Sequence, residues 1–211
     1  METSVKHVKI VTGHVDSLQE ITREAGNYII AVDSGIGVLR RRGLLPDCLI
    51  GDLDSAEADD IRWAETNAIE IRRFPAEKDE VDTELALQWA CRQNPDKITI
   101  YNELNGRFDH TIALVQLLMR PLRDGISCEI RSLRDVVCLL DKQITLSASH
   151  AYVSLFSLTL EAQVTATGLK YAMPEKLYID KPMGISNEFV DNQAQITVKQ
   201  GIILLIVSRI V

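Results

Sequence analysis

The chain has 211 residues, 46% of them hydrophobic and 25% charged, which is enough material for a sizeable core in one domain or two. Thirty acids against 23 bases leave a net charge of −7, which disfavours a broad nucleic-acid footprint because such a footprint needs clustered Lys and Arg. The longest apolar run, at 202–207, falls far short of the roughly 20 residues of a membrane helix, and the start of the chain lacks the basic-then-apolar build of a signal peptide.

In chain order, short apolar runs at 8–11, 29–32, 48–50, 69–72, 98–101 and 128–130 read as strands, and the stretches between them read as helices. That alternation predicts an α/β unit with a mostly parallel sheet. Arg40, Arg41 and Arg42 form the only basic run and are expected at the solvated end of a helix, where cations suit the dipole. Helical periodicity is clearest over 81–90, with Leu85 and Trp89 on one face, and a second helix is expected over 111–119, stopping before Pro121. Cys48, Cys91, Cys128 and Cys138 show no paired spacing, so zinc or a disulfide framework is not expected, and a reducing, cytoplasmic location is.

After about Arg134 the texture turns to β-branched alternation, at 152–158 and 163–167, and a smaller all-β sandwich is expected. The stretches 194–198 and 202–207, separated by Lys199-Gln200-Gly201, read as a terminal hairpin turning at Gly201. The expected division is a domain over 1–134 and a second over 135–211.

Four acidic segments follow successive strands of the first part. Asp33 closes the run 28–32; Gly51-Asp52-Leu53-Asp54-Ser55, Lys78-Asp79-Glu80-Val81-Asp82 and Gly106-Arg107-Phe108-Asp109-His110 come after later ones. In an open α/β sheet all four reach the carboxyl edge of the strands, where ligands bind. Carboxylate oxygens suit magnesium, and magnesium suits polyphosphate. Each segment also has a plainer reading. Asp52 and Asp54 are compatible with simple solvated loop acids; Ser55 is either a helix cap or a phosphate contact; Asp79 suits an N-cap, with Asp82 in the first turn, or a phosphate site with Lys78 as a point charge. Thr83 is a packing residue or a ligand, Arg107 pairs with Asp109 or forks a phosphate oxygen, and His110 caps the helix or meets substrate. His7, His14 and His150 show no metal-ligand spacing and read as structural. No Gly-x-x-x-x-Gly-Lys loop or complete dinucleotide fingerprint occurs.

Taken in order, Asp33-Ser34-Gly35, Gly51 to Ser55, Glu77-Lys78-Asp79 with Asp82 to Leu87, and Gly106 to His110 resemble the thiamine pyrophosphokinase family. The resemblance continues through Val153-Ser154-Leu155, Gly168-Leu169-Lys170-Tyr171 and Gly184-Ile185-Ser186-Asn187-Glu188. It implies magnesium-dependent transfer of pyrophosphate from ATP to the hydroxyethyl oxygen of thiamine, giving thiamine diphosphate and AMP. It further implies that Asp52, Asp54 and Asp82 hold magnesium, and that Asp33, Lys78 and Arg107 position phosphates or substrate. Ser55, Asp79, Thr83 and His110 would line the ATP side, and Asp109 would orient the hydroxyl or accept its proton. Ser186 and Asn187 would contact thiamine, Tyr171 would offer an aromatic face, and the site would lie between the subunits of a homodimer. Val81, Ser34 and the stretch 102–105 depart from the family pattern. A non-catalytic nucleotide or thiamine sensor, or a related kinase for another small alcohol, is the alternative.

Overall fold

The computed structural model describes residues 5–16, 19–77, 79–147 and 150–210. Alternating strands and helices of the first part are β1 (His7–Val11), β2 (Asn27–Val32), α1 (Gly35–Arg41), β3 (Cys48–Gly51), α2 (Ala58–Thr66), β4 (Glu70–Arg73), α3 (Asp82–Arg92), β5 (Lys97–Tyr101), α4 (Phe108–Leu117), α5 (Met119–Arg123) and β6 (Ser127–Arg131). Each strand-like run of the sequence forms a strand here. The chain separates into two compact units, Met1–Leu133 and Arg134–Val211.

Strands of the first unit lie side by side in the order β6-β5-β1-β2-β3-β4, every pair parallel. Parallel strands are covered on both faces, which explains why Ile29, Ile30, Ala31 and Val32 are all buried although they alternate sides. Ile29, Ala31 and Leu49 pack with Ile36 and Leu39 of α1, while α3 packs on β1, β2 and β3. The chain moves outward from β1 through β4 and then returns to the far side of β1 as β5, so the order of strands reverses between β1 and β5.

Close contacts set the helix entries. A methyl group at Gly35 would overlap the Val11 carbonyl, so only glycine lets the first turn of α1 sit this close to β1. The basic run ends α1 as expected, but two of its members carry specific bonds. Arg40 pairs with the buried Asp60 of α2 at 2.8 Å, and Arg42 donates to the carbonyls of Gln19 and Asp16. The second of these pins the connection between β1 and β2, which has no helix among its described residues.

Helix capping differs from the sequence reading. Val81, not Asp79, is the N-cap of α3, and Glu57, not Ser55, is the N-cap of α2; neither side chain makes a cap bond. Each helix begins where its apolar face can be buried, so the acidic residues upstream stay in the loops. Pro121 also does not end the helical region: it sits in the first turn of α5, where its missing N–H has no intrahelical role.

The second unit comprises β7 (Asp135–Leu140), β8 (Gln143–Ser147), β9 (Ala151–Ser157), β10 (Glu161–Thr167), β11 (Lys176–Tyr178), β12 (Gly184–Glu188), β13 (Gln193–Gln200) and β14 (Ile203–Arg209). Strands β12-β9-β14-β7 form one antiparallel layer and β11-β10-β13-β8 the other. Val153, Leu155, Ile203 and Leu205 meet Val164, Leu177, Ile196 and Val198 in the core between them. The expected terminal hairpin is therefore not formed: β13 and β14 belong to opposite layers, and Gly201 (φ 84°) carries the chain across. Both strands alternate, but each directs its apolar side into the same core from a different layer. Of the described residues, no helix is long and apolar enough to cross a membrane, and the four cysteines are free and buried.

The uncapped start of α3 generates a stability prediction. Val81 is 48% exposed and already has an extended backbone, so a threonine hydroxyl there can accept an N–H of the first turn at little cost in burial. Val81→Thr should raise unfolding free energy by about 0.5–1 kcal/mol. Urea melts check this, and an unchanged or lower midpoint would count against it.

Candidate functional site

The carboxyl ends of β2 and β3 and the start of α3 converge three acids. One carboxylate oxygen each from Asp33, Asp52 and Asp82 lies within 4.8 Å of the others, and all three side chains are half-buried. Two left-handed residues make this possible. Asp33 (φ 47°) follows β2 and donates its N–H to the Ile50 carbonyl at 3.0 Å, while Leu53 (φ 67°) turns the loop after β3 so that its N–H reaches the Asp33 carboxylate at 3.3 Å. Non-glycine residues rarely adopt this conformation, and the two that hold this acid group together keep it at some local strain. Gly51 (φ 151°) is required for a different reason, since any Cβ there would overlap the Asp33 carboxylate.

Electrostatics show what the group favours. Burial, and then the neighbouring Asp82 carboxylate, push the Asp33 carboxyl up to about 7, against the help of the Leu53 N–H. A half-buried group of like charges relieves that repulsion by taking a proton or a cation. Three convergent carboxylates with only oxygen donors suit a hard divalent ion such as magnesium.

Asp54 stands outside this group. It is exposed, its N–H donates to Asp52 at 3.0 Å, and its carboxyl is pushed up first by a hydrogen bond with Asp52 and then by that residue's charge. The structure thus gathers Asp52 and Asp82 of the expected ligand set, with Asp33 as the third member. Ser55 is exposed in the following turn, Asp79 is exposed before α3, and Thr83 is half-buried in the first turn of that helix. Lys78 lies outside the described residues.

At the same carboxyl edge, Arg107 is the N-cap of α4 and grips Asp109 with two bonds, at 2.6 and 3.2 Å. Both are exposed, and the pair raises the Arg107 guanidinium and holds the Asp109 carboxyl below its usual range. While that fork is closed, Asp109 is a poor proton acceptor. His110 is exposed and donates its backbone N–H to Asp109 at 2.9 Å.

The loop after β1 was not singled out by sequence. It lies where the strand order reverses, which is the usual ligand crevice of an open α/β sheet. The His14 carbonyl accepts the Glu103 N–H at 2.8 Å, and a methyl group at Gly106 would lie 3.8 Å from its Nε2. His14 thus borders the loop that carries Arg107. Spacing along the chain held no sign of this, because the neighbours Glu103 and Gly106 come from the loop after β5, far away in sequence.

In the second unit, β12 carries a bulge: Gly184 pairs with Leu155 and Asn187 with Val153, so three steps on one strand face two on the other. Ser186 (φ 56°) occupies the bulge, is exposed, and donates its N–H to the Ser154 hydroxyl at 3.0 Å. Tyr171 is 55% exposed, with the Lys170 ammonium 5.3 Å from its ring centre. Asn187 is only 4% exposed, and its amide is engaged by the backbone of Tyr171 and Glu188. Its amide thus bonds the protein's own backbone at both ends.

Comparison with known proteins agrees along the chain. The family model described as "Thiamin pyrophosphokinase, catalytic domain" matches residues 21–130, and "Thiamin pyrophosphokinase, vitamin B1 binding domain" matches 141–203. The thiamine pyrophosphokinase of Bacillus subtilis (strain 168) is 28% identical over 212 residues, covering 97% of this chain and 99% of that protein. A crystal structure of thiamine pyrophosphokinase from Bacillus subtilis superposes with a TM-score of 0.89 at 26% identity, covering 98% of this chain and 100% of that one. The thiamin pyrophosphokinase from Candida albicans, at 19% identity and a TM-score of 0.75, shares the fold over 97% of this chain and 90% of its own.

A pH prediction follows from Asp33. Because its folded value is raised, its contribution to stability is fully present below the unfolded value near 4 and is lost as pH rises to about 7. Asp33→Asn removes that loss while keeping an oxygen for the Leu53 N–H. Without metal, the variant should therefore gain on the parent between pH 4 and 7 and remain more stable at pH 8, by about 1–2 kcal/mol after discounting for partial exposure. Added magnesium should stabilise the parent and not the variant. Denaturant melts with and without chelator test this, and a gap that does not change with pH would refute it.

Proposed function

Because this chain belongs to the thiamin pyrophosphokinase family, whose reaction transfers a pyrophosphoryl group to thiamine, we propose that its own donor site is the carboxyl edge of the first unit, where Asp33, Asp52 and Asp82 hold magnesium against the polyphosphate of ATP. The observation that carries this reading is the convergence of those three half-buried acids. Without a cation they would repel a triphosphate; a bound magnesium supplies the neutralising charge.

The chain's own residues would then divide the remaining work. Arg107 presents a planar fork at the start of α4, where helix amides also favour anions, and would exchange Asp109 for phosphate oxygens. Opening that pair would release Asp109 to orient the thiamine hydroxyl or take its proton. Lys78, Asp79, Ser55, Thr83 and His110 would border the phosphates, and the crevice beside His14 would take the rest of the nucleotide. The hydroxyethyl oxygen would bond to the β-phosphorus as the bond from that phosphorus to the bridging oxygen of AMP breaks, and the hydroxyl proton would pass to Asp109 or to water. Such chemistry asks the protein mainly for positioning and charge neutralisation. Thiamine would meet Tyr171 and Ser186 of the second unit. We further assign a homodimer with the site at the subunit interface, and a cytoplasmic location that suits four free, buried cysteines.

Incubation of the protein with ATP, magnesium and thiamine should yield AMP and thiamine diphosphate; formation of ADP with thiamine monophosphate, or no turnover, would contradict the assignment. The acids should rank by position. Asp52→Asn and Asp82→Asn should each lower kcat by at least about a hundredfold, near 2.7 kcal/mol of barrier, and Asp54→Asn by about tenfold. An Asp54 variant as impaired as the Asp82 variant would return Asp54 to the metal. A sedimentation mass matching the 23.6 kDa monomer at working concentration would rule out the dimer.

A further inference from the structure

The loop from Gly168 to Tyr171 has little regular structure to hold it. Leu169 forms an isolated antiparallel bridge with Phe189, the Val190 N–H donates to the Gly168 carbonyl at 3.0 Å, and the Lys170 N–H donates to the Glu188 carbonyl at 2.9 Å. The next pair in that ladder would be Tyr171 with Asn187. At this point the bulge at Ser186 turns β12 toward β9, and Asn187 pairs with Val153.

The Asn187 side chain fills the missing place. Its Oδ1 accepts the Tyr171 N–H at 3.0 Å, and its Nδ2 donates to the Tyr171 carbonyl at 2.7 Å, as a peptide unit of a neighbouring strand would. Oδ1 also accepts the Glu188 N–H at 2.9 Å. An amide supplies its acceptor and its donor on separate atoms, as a peptide unit does, whereas an aspartate would set a carboxylate against the Tyr171 carbonyl. Asn187 itself is only 4% exposed, so breaking these bonds would leave its buried amide unpaired and release the Tyr171 backbone. One residue earlier, the Lys170 ammonium is held by Glu188 at 3.0 Å and stands over the Tyr171 ring. The tyrosine is thus tied through its backbone by Asn187 and approached at its face by a fixed cation.

We propose that Asn187 is a positioning residue of the acceptor subsite, clamping the backbone of Tyr171 so that its ring is held for thiamine, without touching thiamine itself. The proposal rests on the reading that Tyr171 and Ser186 meet thiamine. It assigns the bulge two tasks: Ser186 is turned outward to the ligand, and Asn187 is turned inward to secure the loop opposite.

Steady-state kinetics on the full-length protein test it through a double-mutant cycle. Asn187→Ala should raise KM for thiamine by at least about tenfold, leave KM for ATP within about twofold, and change kcat by less than about threefold. In a Tyr171→Ala background the same change should add less than about twofold, because a clamp has no effect once its ring is gone. Independent, multiplying effects would mean direct contact by Asn187 and would overturn the proposal. If the alanine variant does not fold, Asn187→Asp keeps the shape and the acceptor bonds but loses the donor, and carries the same expectations. A raised thiamine KM in Tyr171→Ala with none in either Asn187 variant defeats the clamp alone. An unchanged thiamine KM in both Tyr171→Ala and Ser186→Ala defeats the acceptor subsite, and the clamp with it.

Discussion

Repulsion among Asp33, Asp52 and Asp82 is the constraint around which the first unit is organised. Three half-buried carboxylates with oxygens inside 4.8 Å of one another oppose folding unless a cation or proton intervenes. The sheet nevertheless imposes this approach. Asp33 is fixed by pairing of its N–H with Ile50, the Leu53 N–H is aimed at its carboxylate, and Gly51 leaves out the methyl group that would collide with it. Two left-handed non-glycine residues add to the cost. Stability of the parallel core, with Ile10, Ile29, Ile30, Leu49, Ile98 and Ile100 fully buried or nearly so, allows the edge to carry this strain. Under the proposed function, the stability lost at this edge would be regained when a cation binds.

How much of this was legible in the sequence depended on the range of the interactions. Strands β1 to β6 were visible because a parallel sheet buried on both faces needs continuous apolar runs, and 29–32 is such a run. Asp52 and Asp82 were visible because acids after strands must reach the carboxyl edge. Asp33 was visible at that edge for the same reason, but its approach to Asp52 and Asp82 as a third member of one group was not, because it depends on left-handed turns at Asp33 and Leu53 and on the register of β2 against β3. No pattern in the sequence records either. Position in the chain placed Asp54 beside Asp52, whereas the turn after β3 leaves it exposed next to the group and not within it. The helix starts were misread for a related reason. Asp79 and Ser55 have good capping chemistry, yet burial of the apolar helix faces chose Val81 and Glu57 as the first residues.

The second unit makes the same point about alternation. Residues 194–198 alternate, 202–207 form a continuous apolar run, and the glycine between them resembles a hairpin turn. Period alone cannot say whether two strands are neighbours in one layer or face each other across a core. Here Ile196 and Val198 oppose Ile203 and Leu205, and β14 is flanked by β7 and β9. An alternating pattern thus determines which side chains go inward and leaves the layer open.

The bulge in β12 alters even that rule. With regular alternation, exposed Ile185 would be followed by an inward Ser186 and an outward Asn187. The extra residue reverses the last two, so that Ser186 is exposed and Asn187 is buried. A single inserted position at a strand edge converts one of them into a surface group and the other into part of the framework. That inversion leaves Ser186 exposed at the strand edge while Asn187 bonds the backbone of the loop beside it.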